Sequence, residues 1–106
     1  MILYVQKWDI LPEKLESYNQ WATSAIKRSL DVPGVVEFRA YRPCTGSHQA
    51  VITWEFADMS SWSSWYENQE VQKVRTELQT FTSNRHDELW GPSPIVPEPI
   101  RPANRL

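Results

Sequence analysis

What most restricts this chain is the order in which apolar periods of two residues and of about 3.6 residues follow one another. Residues 2–9, ILYVQKWD, are β-branched and aromatic, which predicts a strand. Pro12 stands where a helix can start without losing a hydrogen bond. From Glu13 to Leu30 the apolar residues Leu15, Tyr18, Trp21, Ala22, Ala25, Ile26 and Leu30 recur at helical spacing and form one stripe. Val32-Pro33-Gly34 ends that helix, because a proline pushes the residue before it out of helical geometry. Over residues 35–42, VVEFRAYR, Val36, Phe38 and Ala40 alternate with Glu37, Arg39 and Tyr41, the signature of a strand with two unlike faces. Pro43 to Ser47 is turn chemistry, and residues 49–57, QAVITWEFA, complete a hairpin. Asp58 suits a helix N-cap, and the helix it opens carries Trp62, Trp65, Tyr66, Val74, Leu78 and Phe81. The polar run Glu67-Asn68-Gln69-Glu70 interrupts its stripe and predicts a kink or short break. Residues 85–90, RHDELW, predict a short fourth strand. Prolines at 92, 94, 97, 99 and 102 forbid a helix or central strand beyond it.

The resulting order, β-α-β-β-α-β, is the ferredoxin-like α+β plan: a four-stranded antiparallel sheet with both helices on one face. It divides the chain into a single domain over residues 1–91 and an extended proline-rich tail over residues 92–106. Leu3, Val5, Val36, Phe38, Ile52, Trp54, Phe56 and Leu89 are expected under the helices. Tyr4, Gln6, Trp8, Glu37, Arg39, Tyr41, Val51, Thr53, Glu55, His86, Glu88 and Trp90 are expected on the open face. A face so aromatic, yet rimmed by charge, marks an interaction surface, and a two-fold axis would let it serve both copies of a homodimer.

Charge and cysteine content exclude several classes. The net charge is -2, so no basic surplus exists to neutralise phosphates, and nucleic acid is not an expected partner. Cys44 is the single cysteine, so no internal disulfide forms. The opening MILYVQKWDI has no basic segment ahead of a long apolar run, and no stretch approaches the ~20 apolar residues of a membrane helix. A cytoplasmic protein that does not enter membranes is the expectation.

Six tryptophans are many for 106 residues. Either they fill a small core and an interface, or some line a pocket for a flat organic ligand. On the second reading the ligand-binding candidates are Trp54, Trp62 and Trp65, while Tyr18 and Trp21 read as core. His86, on a strand facing the open side near Glu88, is a candidate general base, or else a hydrogen-bonded interface histidine. His48, beside the hairpin turn, reads as solvated. Two histidines without a third ligand at metal spacing make no metal site. Arg39 and Glu55 are expected on adjacent strands of one face, as a cross-strand ion pair or else an anion clamp. Cys44 has no base near it in sequence and is no nucleophile. Phosphate-binding loops and nucleophile elbows are absent.

Two stretches, VITWEFADMSSWSSWYENQEVQKV and HDELWGPSP, together with the element order over residues 2 to 92, resemble the dimeric α+β barrel superfamily. Within it they resemble the antibiotic-biosynthesis-monooxygenase-like domains. The resemblance implies two sheets paired face to face and a ligand pocket between sheet and helices. Cofactor-free quinone-forming members use a helical Trp with nearby Asn, Tyr and Arg. Here Trp65 matches that Trp, Arg85 falls near the Arg and becomes the second catalytic candidate, and Ser61 and Val71 stand at the Asn and Tyr positions. Haem-degrading members carry a His where this chain has Arg75, so haem and other cofactors are not expected. Two functions stay open. One is a cofactor-independent monooxygenase-like enzyme, or small-molecule binder, for an aromatic or polyketide-like molecule, with oxygen activated by the substrate's own carbanion. The other is a non-catalytic ligand-binding or stress-associated dimer. A cavity of a few hundred Å³ lined by Trp65, with a polar group in reach, would favour the first.

Overall fold

A computed structural model describes residues 1–103 of the chain. Strand β1 (Ile2–Ile10) leads through a 3-10 turn (Pro12–Lys14) into α1 (Leu15–Leu30). The hairpin β2 (Val35–Tyr41) and β3 (Ala50–Phe56) follows, then α2 (Met59–Tyr66), α3 (Gln69–Gln79) and β4 (Thr82–Trp90). The strands form one antiparallel sheet in the order β2-β3-β1-β4, a ferredoxin-like arrangement whose second helix is split in two.

The split falls in the polar run. Asp58 caps α2 by accepting from the Ser61 N–H at 2.8 Å, and Asn68 caps α3 by accepting from the Glu70 N–H at 2.8 Å. A second capping side chain inside the run gives the chain a ready place to restart. Ahead of α2, Gly34 has φ +126°, and a Cβ there would lie 3.4 Å from the Ser61 carbonyl oxygen. The turn therefore needs glycine for its backbone angle, and the missing side chain lets α2 settle close.

Strand β1 faces the opposite way to its sequence expectation. Tyr4 stands opposite Trp54 and Gln6 opposite Ile52, and residues directly opposite in an antiparallel pair share a face. Tyr4, Gln6 and Trp8 therefore lie under the helices, while Leu3 and Val5, opposite Glu55 and Thr53, lie on the open face. Both sets of β1 are largely apolar, so alternation alone does not separate them; the larger rings take the deeper layer. Val36 is corrected too. The β2–β3 register shifts between Val35 and Glu37, which places Val35 on the covered side opposite Phe56 and leaves Val36 61% exposed. Leu89, opposite Tyr4, is on the covered side but on an edge strand, and it is exposed. Strand β4 starts at Thr82, three residues earlier than RHDELW suggests. Thr82 is buried and donates its hydroxyl to the Leu78 carbonyl at 2.7 Å, and Asn84 takes φ 52° where the β1–β4 register shifts. Asn tolerates that left-handed angle better than most residues.

Tyr4, Trp54, Phe56, Trp65 and Val71 form the buried core. Arg28 ties α1 to α3, reaching Glu70 at 2.6 Å and Glu77 at 2.7 Å, and Trp21 Nε1 donates to Glu77 at 2.7 Å. Arg39 stands opposite Thr53 and bonds Glu37 along its own strand at 2.9 Å, so the expected pair with Glu55 does not form. Residues 91–103 contain neither helix nor strand and are exposed; the rest of the expected tail, 104–106, lies outside the described residues. Among the described residues no helix is long and apolar enough to cross a membrane.

Candidate functional site

The tryptophans that alternate into the covered face of the sheet meet the apolar stripe of α1 around a small chamber. Its walls are Tyr4, Gln6 and Trp8 of β1, Phe38 of β2, Ile52 and Trp54 of β3, Tyr18, Trp21 and Ser29 of α1, Trp65 of α2, and Val71, Val74, Arg75 and Leu78 of α3. Its free volume is about 60 Å³. A cavity of about 150 Å³ is needed to hold a benzene ring, so the chamber as it stands admits only a few waters.

Four indoles in its wall are pinned by their N–H groups. Trp54 Nε1 donates to Gln6 Oε1 at 2.9 Å, Trp65 Nε1 to the Ser29 carbonyl at 2.9 Å, Trp8 Nε1 to the Tyr18 hydroxyl at 3.2 Å and Trp21 Nε1 to Glu77 at 2.7 Å. Each ring is thus held in one orientation. Burial pushes the Tyr18 phenol above its ordinary pKa, so it stays neutral. Trp62 is not part of the wall. It stacks on Tyr66 at 4.8 Å, and its Nε1 is buried without a partner among the described residues.

A second, polar recess of about 280 Å³ shares Gln6, Arg75 and Leu78 with the chamber and adds Gln79, Arg85 and Asp87. The Tyr4 hydroxyl donates to Asp87 Oδ2 at 2.5 Å, and Arg75 Nη2 stands 3.9 Å from the same oxygen. Burial first, and then the bond to the Asp87 carboxylate, hold the Tyr4 phenol well above its usual pKa. Arg75 also lies 4.9 Å over the Tyr66 ring and donates to Gln72 at 3.2 Å. Arg85 donates to the Thr82 carbonyl at 2.6 Å. An apolar chamber with anchored aromatic walls thus adjoins, across Gln6, Arg75 and Leu78, a recess bearing two guanidiniums and one carboxylate.

Of the sequence candidates, Trp54 and Trp65 line the chamber, Arg85 lines the recess, and Trp62 lines neither. Val71 is in the chamber wall and Ser61 is not. His86 stands opposite Lys7 on the other face of the sheet, apart from Arg85. There it meets His48, with ring centroids 5.2 Å apart, and His48 Nε2 lies 3.1 Å from the Asn84 carbonyl oxygen, so His48 is docked rather than merely solvated. Among the described residues no three metal-ligating side chains gather. Sequence reasoning missed Tyr4, Gln6 and Trp8, placed on the wrong face, and Asp87. For Arg75 and Asp87 the only local signals are a cation inside the α3 stripe and a carboxylate two residues beyond Arg85.

A family model described as antibiotic biosynthesis monooxygenase matches residues 1–77. No curated protein matches the chain. Several solved structures share the fold at low identity. A protein of the dabb family with a ferredoxin-like fold from Mesorhizobium loti is 16% identical, with TM-score 0.75 over 87% of this chain and 96% of the other. SnoaB, a cofactor-independent oxygenase from Streptomyces nogalater, is 15% identical, with TM-score 0.70 over 92% of this chain and 97% of the other. A conserved protein from Methanosarcina mazei is 17% identical, with TM-score 0.72 over 84% of this chain and 89% of the other.

Proposed function

Because the chain belongs to the antibiotic biosynthesis monooxygenase family, we propose that it binds a small aromatic, polyketide-like molecule between sheet and helices and acts on it as a cofactor-independent monooxygenase-like enzyme. The observation that carries this reading is that an apolar chamber and a charged recess lie back to back, with Gln6, Arg75 and Leu78 as their common wall. Once the chamber widens, a flat ring would pack against the indoles of Trp54 and Trp65, and an acidic oxygen on it would meet Arg75 and Arg85. Because the chamber is small, uptake requires the Arg75 side of α3 to yield. In such chemistry the protein supplies positioning, dryness and a base, and the carbanion of the bound molecule meets oxygen directly. The fold shared with a cofactor-independent oxygenase is in keeping with this role. Calorimetric titration with 2-hydroxy-1,4-naphthoquinone tests the site. Stoichiometric binding that weakens at least tenfold in Arg75→Ala supports it; no binding, or binding unchanged in that variant, overturns it.

A second reading, a non-catalytic ligand-binding dimer, is favoured by one observation: the chamber's 60 Å³ is far below a few hundred. Oxygen consumption with a bound hydroxyquinol separates the two.

In either reading the open face is covered by a second copy of the chain. Leu3, Val51, Tyr41 and Trp90 surround a shallow concavity there, with Glu37, Arg39 and Glu55 among its walls. Tyr4 and Trp8 do not contribute, since they point into the chamber. Burying the remaining apolar area contributes about 25 cal/mol per Å². Sedimentation at twice 12.4 kDa is expected at micromolar protein, and a monomer would refute the pairing.

A further inference from the structure

Chamber and recess together are lined by one carboxylate, Asp87. Its Oδ2 accepts from the Tyr4 hydroxyl at 2.5 Å, which fixes the plane of the carboxylate. Its Oδ1 has no hydrogen-bond partner among the described residues. The side chain is about a third exposed, on an edge strand, so it reaches both the recess and water. Arg75 and Arg85 line the same recess. Gln6, buried between the two spaces, spends its oxygen on Trp54 and keeps its amide N–H groups for a guest.

We infer that Asp87, oriented by Tyr4 and faced by Arg75 and Arg85, is the proton acceptor of this site, and that its ligand is a ring with an acidic proton that is bound as its anion. The inference rests on the reading of chamber and recess as the ligand site. In the step, a C–H or O–H bond of the ligand breaks, its electron pair stays on the ring, and a new O–H bond forms at Asp87 Oδ1. The carboxyl then releases the proton to water. Negative charge moves from Asp87 to the ligand while both guanidiniums stay in place. The site therefore never holds an added buried charge, which would be costly. No other group on this side takes the role as well. Tyr4 remains protonated and serves as donor, Tyr18 is neutral, and His86 is across the sheet. Tyr4 is accordingly a positioning residue.

The probe is 2-tetralone, a two-ring ketone whose C1 protons exchange with solvent deuterium only when one is removed. The full chain is to accelerate that exchange in D₂O over buffer. Asp87→Asn is expected to lower the accelerated rate at least about 100-fold, with the dissociation constant for 2-tetralone changed less than threefold. Asp87→Glu restores part of the rate. Unchanged exchange in Asp87→Asn overturns the assignment, as does loss in His86→Ala with Asp87→Asn unaffected. Binding without accelerated exchange in the wild type also overturns it, yet leaves the ligand site standing. Absence of binding overturns the underlying reading.

Discussion

Truncating Trp65 to alanine removes a side chain that belongs to the core and to the chamber wall at once. The residue is 2% exposed, with its ring 5.0 Å from Trp54 and 5.1 Å from Phe56. Loss of a buried Trp or Phe side chain costs about 3–5 kcal/mol. The upper end applies here, because the buried Ser29 carbonyl also loses its shorter donor and keeps the Val32 N–H at 3.4 Å. About 5 kcal/mol is a large part of the ~5–15 kcal/mol available to a domain. The variant should therefore keep only about 0–10 kcal/mol of stability. Urea titration followed by circular dichroism, at fixed protein concentration, measures the loss. The vacated space adjoins an existing void and matches an indole, so added indole should rebind. At a hundred times its dissociation constant it restores about 2.7 kcal/mol. A loss below about 2 kcal/mol, or no response to indole, would refute the packing of α2 described above.

Trp62→Phe should behave differently, because it removes a buried N–H that has no partner among the described residues: stability is expected within about 1 kcal/mol of wild type, or above it, by the same titration. Glu77 is held below the ordinary carboxylate range by the Arg28 guanidinium and then by the Trp21 N–H. Its stabilisation is full above its unfolded value, about pH 4.3, and is lost as pH falls through its lower folded value. The melting-temperature gap between wild type and Glu77→Gln should thus be constant from pH 6 to 8 and close below pH 4, and a gap that widened in acid would contradict the ion pair. Stoichiometric haem should give no shifted Soret band, since the resemblance drawn above puts Arg75 at the position of the haem-degrading members' His; a band lost in His86→Ala would make that histidine the ligand.

The parts of the fold legible in the sequence are those where polar residues alternate cleanly. Glu37 and Arg39 against Phe38 and Ala40 orient β2, and Trp54 and Phe56 against Glu55 orient β3. In β1 both faces are apolar, so only its pairing with Trp54 and Ile52 decides which one is covered. That one-residue ambiguity hid Tyr4, Gln6 and Trp8 from the candidate site. The break between α2 and α3 was legible because the polar run Glu67-Asn68-Gln69-Glu70 interrupts the apolar stripe, and the structure adds Asn68 as the cap that restarts the helix. The start of β4 was not, because Ser83-Asn84-Arg85 is polar on an exposed edge strand. Arg75 and Asp87 approach to 3.9 Å from a helix and a strand, and only the tertiary structure brings such a pair together.

The six indole N–H groups offer the most direct test of where a ligand binds. In a ¹H–¹⁵N correlation spectrum each tryptophan gives one side-chain signal, and 2-hydroxy-1,4-naphthoquinone is added to saturation. If the chamber and recess are the site, the signals of Trp8, Trp21, Trp54 and Trp65 move, while Trp62, outside the wall, and Trp90, on the open face, stay in place. Shifts confined to Trp90, or to Trp62, would contradict the account.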